Sequence, residues 1–194
     1  MLIFPFPQEI QVKETYFKLN EDILILVPEK VSTEDLFLAR FLLAELTDRY
    51  GLSLKIKQVQ ELPLNNQFIL MGSINNSLVN KYCAQHYLKI TNENSDQGGY
   101  ILEVKDNIVV VAGSDNQGAF YGMQSLRQLI KKEDNQLQIQ RVRDWPYKPF
   151  RGLRLFLPGR ENIPFFKRFV RNFMEILQCL FEIKIMLGAA GGPV

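Results

Sequence analysis

The chain has very few of the residues that bind metals or act as nucleophiles. It contains one histidine, His86, and two cysteines, Cys83 and Cys179, among 194 residues. No His-Glu-x-x-His motif or pair of closely spaced cysteines is present, so we expect no metal site. A Ser-His-Asp or Cys-His catalytic group is excluded unless His86 takes part, and no nucleophile-elbow motif accompanies it. We expect the cysteines to be free thiols because they fall in different predicted domains.

Long apolar runs and strong charge are also missing. No segment approaches the roughly 20 apolar residues of a membrane span. The net charge of +2 is too small to indicate a nucleic-acid partner. The glycines at 113, 118 and 122 do not follow phosphate-loop spacing, so we expect no nucleotide or other cofactor. The first residues, MLIFPFPQEI, lack the basic segment of a signal peptide. We therefore expect a protein that is either cytoplasmic or has lost a leader.

The clearest pattern in the chain lies between Gly98 and Arg151. In residues 100–105, Tyr100, Leu102 and Val104 alternate with Ile101, Glu103 and Lys105, as in a strand with two different faces. Residues 108–112 are continuously apolar, and Asp106-Asn107 between the two segments suits a tight turn. This pattern predicts a β-hairpin. The polar residues after Gly113 favour a turn and a helix start near Gln117 or Gly118. Apolar residues then recur at helical spacing, which predicts a helix packed on the sheet through Phe120, Met123, Leu126 and Ile130.

Upstream residues predict the remainder of a mixed α and β domain. Residues 7–10 with 17–19, and residues 23–28, resemble the two opening strands of a known accessory domain. Ser32, with Asp35 three residues later, is typical of a helix start, and Gly51 of a left-handed helix end. A further strand is expected within 52–59, and a buried strand at 68–71 closed by glycine.

These features together resemble the accessory domain that precedes the catalytic barrel in family 20 glycoside hydrolases, the β-N-acetylhexosaminidases. The helix ending in Gly51-Leu52, the strand FILMG and the order of elements in 98–151 carry the resemblance. It implies an α+β, zincin-like fold without zinc, in which a mixed sheet has helices on one face. Because the family is usually exported, it also favours a secreted or periplasmic protein whose leader is gone.

The predicted domain boundary lies near Asp144-Trp145-Pro146, because proline restricts the preceding residue to extended geometry. We assign 1–146 to the accessory domain and 147–194 to the start of a (β/α)8 barrel. Residues 151–157 resemble the family's first barrel strand, 163–180 its first helix, and 183–187 suit a second strand. About one and a half of eight strand–helix units are present, whereas a closed barrel needs roughly 250 residues.

No acidic pair in the chain matches the catalytic pair implied by the resemblance. The family's Asp-Glu pair lies at the end of the fourth barrel strand, which this sequence does not reach. We expect the adjacent acidic pairs that are present to be solvated turns or helix caps: Glu21-Asp22, Glu34-Asp35 and Glu133-Asp134. We therefore predict no catalytic residue in this chain and expect a non-catalytic front portion of a glycoside hydrolase.

Arg151 is the one substrate-binding candidate. In the resembled family an arginine at this position hydrogen-bonds hydroxyls of the sugar in the central subsite, a task suited to the donor fork of guanidinium. The alternative is a boundary arginine paired with Asp144 or Glu161. Phe156 stands where the family has a strand-end aspartate, which leaves the substrate open.

The resemblance implies the catalytic barrel of the parent chain as partner, with N-acetylated glycans as ligands. Apolar faces of 153–157 and 163–180 without partners would favour dimers or a mobile C-terminal segment. A second hypothesis is a complete carbohydrate- or polyanion-binding module, because basic and aromatic residues alternate through 147–171. A third is the related accessory domain of an α-glucuronidase or O-GlcNAcase.

Overall fold

The computed structural model describes residues 3–64, 66–90, 97–131, 135–147 and 159–177. The chain divides into two compact units, Met1–Tyr147 and Lys148–Val194. The division lies one residue beyond the boundary expected from the sequence. Assignment of the second unit to a barrel remains a prediction.

The described residues of the first unit form seven strands and three helices. In chain order these are β1 (Glu9–Lys18), β2 (Leu24–Pro28), α1 (Thr33–Tyr50), β3 (Lys55–Val59), β4 (Phe68–Ser73), α2 (Ser77–Gln85), β5 (Tyr100–Val104), β6 (Ile108–Gly113), α3 (Asn116–Leu129) and β7 (Gln136–Asp144).

The seven strands form one mixed sheet in the order β1-β7-β5-β6-β4-β2-β3. The pairs β1/β7, β7/β5 and β5/β6 are antiparallel. The pairs β6/β4, β4/β2 and β2/β3 are parallel. The predicted hairpin is present, with Tyr100 opposite Gly113 and Val104 opposite Val109. This α+β architecture confirms the fold class expected from the sequence.

Helices cover both faces of this sheet, so the expectation of helices on one face holds only for α1 and α3. On one face, Gly122 of α3 lies against Val111 and Tyr100, and α1 packs beside α3. On the other, Tyr82 of α2 packs in a cluster with Val110. Neighbouring residues of a strand point to opposite faces. Because β4 is buried along its whole length, both of its faces need cover.

The helix ends follow the capping residues read from the sequence. Ser32 Oγ accepts a hydrogen bond from the Asp35 N–H at 3.0 Å, and Gly51 ends α1 with φ of 67°. Asp115 Oδ1 accepts from the Gly118 N–H at 2.7 Å, so α3 begins at Asn116. Such caps satisfy backbone donors that the first helical turn leaves unpaired.

Gly118 permits a close approach between α3 and the chain before β5. A Cβ atom at this position would collide with the carbonyl oxygen of Gly99. The glycine therefore allows the helix start to lie against the backbone.

The second unit is described from residue 159 to 177. Arg160–Asn162 form a 3-10 turn, followed by α4 (Ile163–Leu177), which confirms a helix in the predicted range 163–180. Arg151 and the predicted strands at 153–157 and 183–187 lie outside the described residues. Within the described part of the chain, no helix combines the length and apolarity needed to cross a membrane.

Candidate functional site

Four parallel strands bring their carboxyl ends to one edge of the sheet. The chain leaves β2 and β6 through α1 and α3 on one face, whereas it leaves β4, which lies between them, through α2 on the other. Where adjacent strands send their connections to opposite faces, a crevice opens at their carboxyl ends. Ligands of open α/β sheets bind in such crevices.

The crevice contains a cavity of about 570 Å³, within the usual size range of small-molecule sites. We call it the strand-end cavity. Its lining carries three carboxylates and one lysine, which gives a formal charge of −2, and most other side chains are amides or hydroxyls. The lining residues are Glu29, Lys30, Ser32, Glu34, Asp35, Val59, Gln60, Ser73, Asn75, Asn76, Ser77 and Asn116.

Asn76 contributes a buried donor to the strand-end cavity. The residue is 3% exposed, and its Oδ1 accepts hydrogen bonds from the N–H groups of Leu78 and Val79 at 3.0 and 3.3 Å. These bonds cap α2 and fix which side-chain atom is the nitrogen. The Nδ2 atom is buried without a hydrogen-bond partner among the described residues.

Asp35 supplies the matching acceptor. It is 6% exposed, and in the described part of the chain its carboxylate makes no hydrogen bond or ion pair. A Cβ atom at Gly72 would lie 2.6 Å from Asp35 Oδ1 and 2.8 Å from Asn76 Nδ2. Glycine at the end of β4 therefore lets a carboxylate oxygen of Asp35 and the buried amide nitrogen of Asn76 converge.

A second polar cluster lies under α2. Tyr82 donates to Glu103 Oε2 at 2.9 Å, and Lys105 Nζ lies 3.0 Å from the same oxygen. Burial is the largest cause, and the neighbouring Glu103 carboxylate the next, of a pKa of Tyr82 well above its usual value. The same causes raise the pKa of Cys83 to about 11. The cluster satisfies its own polar groups and keeps the thiol protonated at neutral pH, which makes it an unreactive structural feature.

His86 belongs to this cluster as a stacking residue. Its ring stacks on Tyr82 with 4.0 Å between centroids, and its Nδ1 lies 3.0 Å from the Tyr82 carbonyl oxygen. No group of three or more His, Cys, Asp or Glu side chains suited to a metal ion occurs among the described residues.

A smaller groove of about 390 Å³ lies over β1, β7 and β5. Arg141 and Arg143 line it, and Tyr87, which is 90% exposed, stands at its edge. Arg143 Nη1 lies 3.3 Å from Glu9 Oε1, and Arg141 Nε lies 3.5 Å from Glu103 Oε1. The arginines of this groove are thus engaged with carboxylates.

The acidic pairs identified in the sequence differ in their surroundings. Glu21-Asp22 are exposed in a turn, where the Asp22 N–H donates to Asn20 at 2.9 Å, as predicted. In Glu34-Asp35 only the glutamate is exposed. The expectation of a solvated cap is wrong for Asp35, because the crevice beside β4 encloses it. Glu133-Asp134 lie outside the described residues.

Arg151, the predicted substrate-binding residue, also lies outside the described residues. Asp144 and Glu161, the two possible ion-pair partners of Arg151, both have other hydrogen-bond partners. Asp144 accepts from the Gln8 N–H at 3.2 Å and from the Tyr100 hydroxyl at 3.3 Å. Glu161 accepts from Asn162 Nδ2 at 3.1 Å. Asn76 was not identified from the sequence. The one pattern that pointed to it is an asparagine, a residue type that often caps helices, four positions after the glycine that ends a strand.

Similar solved structures share this fold. The protein CpGH84D matches with a TM-score of 0.70 and 22% identity over 94% of this chain and 30% of its own. The Vibrio harveyi family 20 exo-β-N-acetylglucosaminidase in complex with N-acetylglucosamine matches with a TM-score of 0.63 and 17% identity over 92% of this chain and 24% of its own. A Bacteroides fragilis β-N-acetylhexosaminidase gives 0.61 and 16% over 93% and 32%. The chain thus spans less than two thirds of each protein.

A family model described as glycosyl hydrolase family 20, domain 2, matches residues 1–145. The match covers the whole seven-stranded sheet with α1, α2 and α3. The matched residues therefore include the strand-end cavity, the helix that ends at Gly51 and the strand that contains the sequence FILMG. Because it extends over most of the chain, the protein belongs to glycosyl hydrolase family 20, domain 2, the accessory module of hexosaminidase-like glycoside hydrolases.

Proposed function

We propose that this chain is the non-catalytic front portion of a β-N-acetylhexosaminidase and supports a catalytic barrel supplied by the same polypeptide. The observation that carries the proposal is the family match over residues 1–145. The names of two structural neighbours, an exo-β-N-acetylglucosaminidase and a β-N-acetylhexosaminidase, support N-acetylated glycans as the substrate class.

The second unit supports the barrel as the partner. In α4, Phe165 is 63% and Ile163 38% exposed, and the Phe165 and Phe169 rings lie 6.4 Å apart. Exposed apolar side chains of this kind favour association. In the proposed enzyme the remainder of the barrel covers them, and in the isolated chain a second copy does.

Arg151 is the residue of this chain that we assign to the substrate. Its guanidinium would donate to sugar hydroxyls in the central subsite, while the catalytic carboxylates come from the part of the barrel that follows. A lysine presents one point charge in place of a planar donor fork, so Arg151→Lys is the appropriate substitution.

The test uses the protein made by the native gene, tagged at its N-terminus and purified from its source. We expect an intact mass that exceeds that of the 194 residues by most of a barrel, and hydrolysis of p-nitrophenyl β-N-acetylglucosaminide. Arg151→Lys should lower kcat/KM about tenfold or more, as the loss of a charged hydrogen bond does.

Arg160→Lys is the matched control, because Arg160 is an exposed arginine in the 3-10 turn, and its kcat/KM should match that of the parent protein. A native product without a barrel, or one that does not hydrolyse the substrate, would overturn the proposal. Equal effects of the two lysine substitutions would remove the role assigned to Arg151.

A further inference from the structure

We propose that the strand-end cavity binds a neutral saccharide, one hydroxyl of which accepts from Asn76 Nδ2 and donates to the Asp35 carboxylate. The site belongs to the accessory domain itself. It does not depend on the chemistry of the barrel, and it would stand if the proposed function failed.

The unpaired groups define the ligand. Asn76 Nδ2 can only donate, and the carboxylate oxygens of Asp35 supply acceptors. Both residues are more than nine-tenths buried, and the two atoms converge beside Gly72. A sugar hydroxyl, like a water molecule, accepts and donates at the same oxygen. Because buried polar groups in native proteins are almost always paired, Asn76 Nδ2 requires an acceptor from outside the described residues.

The charge and the caps argue against an anion. Three helix starts lie at this edge of the sheet, and helix starts favour phosphate when their N–H groups are free. Here the side chains of Ser32, Asn76 and Asp115 already accept from one or two of those N–H groups at each helix. The formal charge of −2 also repels an anion.

The remaining lining suits a polyhydroxyl ligand, and no group of three or more acidic, His or Cys side chains suited to a metal ion occurs among the described residues. Glu29 Oε1 accepts from Gln60 Nε2 at 2.7 Å, which occupies one of the three carboxylates of the lining. Ser73, Asn75 and Asn116 add hydroxyl and amide groups. Amides, hydroxyls and carboxylates provide the mixed donors and acceptors that sugar hydroxyls require.

The experiment is an amide NMR titration of the 194-residue protein with N-acetylglucosamine and, separately, glucose. Sodium phosphate and calcium chloride serve as the anionic and cationic probes. We expect the amide signals of Ser73, Asn76 and Asn116 to shift with a saccharide but not with phosphate or calcium. The salts are added at constant ionic strength so that general screening does not differ between titrations.

Two variants test the assigned contacts. Asn76→Asp keeps the helix cap, because aspartate caps as well as asparagine, but it removes the donor. Asp35→Asn removes the charged acceptor. Each should weaken saccharide binding about tenfold or more. Asn107→Asp, at an exposed position in the β5–β6 turn, makes the same change of charge and should bind like the parent protein.

Several results would overturn the inference. These are the absence of saccharide-dependent shifts near the solubility limit, shifts confined to other parts of the domain, a response to phosphate or calcium in place of the sugars, or undiminished binding by Asn76→Asp. Thermal unfolding of each variant shows that it is folded. If Asp35→Asn does not fold, Asn76→Asp decides the outcome alone.

Discussion

Removal of one partner from the buried ion pair between α1 and α3 should strongly destabilise the domain. Arg127 of α3 donates through Nε and Nη2 to Glu45 Oε2 of α1 at 3.2 and 2.7 Å. The two side chains are 2% and 7% exposed. The Arg127 guanidinium also donates through Nη1 to Gln124 Oε1 and lies 5.2 Å from the centre of the Phe41 ring.

The expected loss in the free energy of unfolding depends on which buried charge each substitution leaves without a partner. Glu45→Met removes the carboxylate that accepts two bonds from a buried guanidinium, and such a loss costs about 3–5 kcal/mol. Arg127→Met should cost less, about 2–3 kcal/mol, because Glu45 keeps Arg49 at 3.0 Å. The double variant should be more stable than the sum of the single losses indicates, since no unpaired charge remains buried.

Urea unfolding followed by far-UV circular dichroism measures these free energies. Glu61→Met is the matched control, because Glu61 is 82% exposed in its pair with Lys81, and it should change stability by less than about 0.5 kcal/mol. A loss below about 1 kcal/mol for Glu45→Met, or strictly additive effects in the double variant, would refute the reasoning.

Three further predictions concern the same domain. Gly118→Ala should destabilise by about 3 kcal/mol or more in thermal or urea unfolding, because its Cβ collides with the Gly99 carbonyl oxygen. The pKa of Cys83 is raised from 9.0 to about 11. Its contribution to stability is therefore present below pH 9 and should be lost as the pH rises to 11, while iodoacetamide labels the folded thiol slowly at pH 8. Residues 1–147 should fold alone with a cooperative transition, and an unfolded fragment would show that the division at Tyr147 is wrong.

The sequence predicted those parts of the fold that are decided locally. Ser32, Gly51 and the Asp106-Asn107 turn act on backbone groups a few residues away, so composition and spacing were sufficient. The apolar run of β6 likewise identified a buried strand. The helix α2 was missed because it has only nine residues, several of them polar.

The strand-end cavity could not be predicted from the sequence, for a different reason. Asp35 and Asn76 are far apart in the sequence and meet only because β4 pairs with β2 on one side and β6 on the other. Pairing order is a property of the whole sheet, which local patterns do not determine. Read alone, Asp35 looked like an ordinary residue of a helix start. Arg151 stays a prediction because it lies outside the described residues.

The choice of asparagine at position 76 distinguishes ligand binding from simple capping. Serine caps helices equally well and would leave no amide nitrogen unpaired, so capping alone does not explain a buried Nδ2 without a partner. Asn76→Ser should therefore leave the free energy of unfolding unchanged or raise it by about 1 kcal/mol, while it abolishes the saccharide-dependent NMR shifts. Stability exchanged for binding in this way is common at functional sites. A loss of stability above about 1 kcal/mol together with undiminished sugar binding would instead make the amide a structural group.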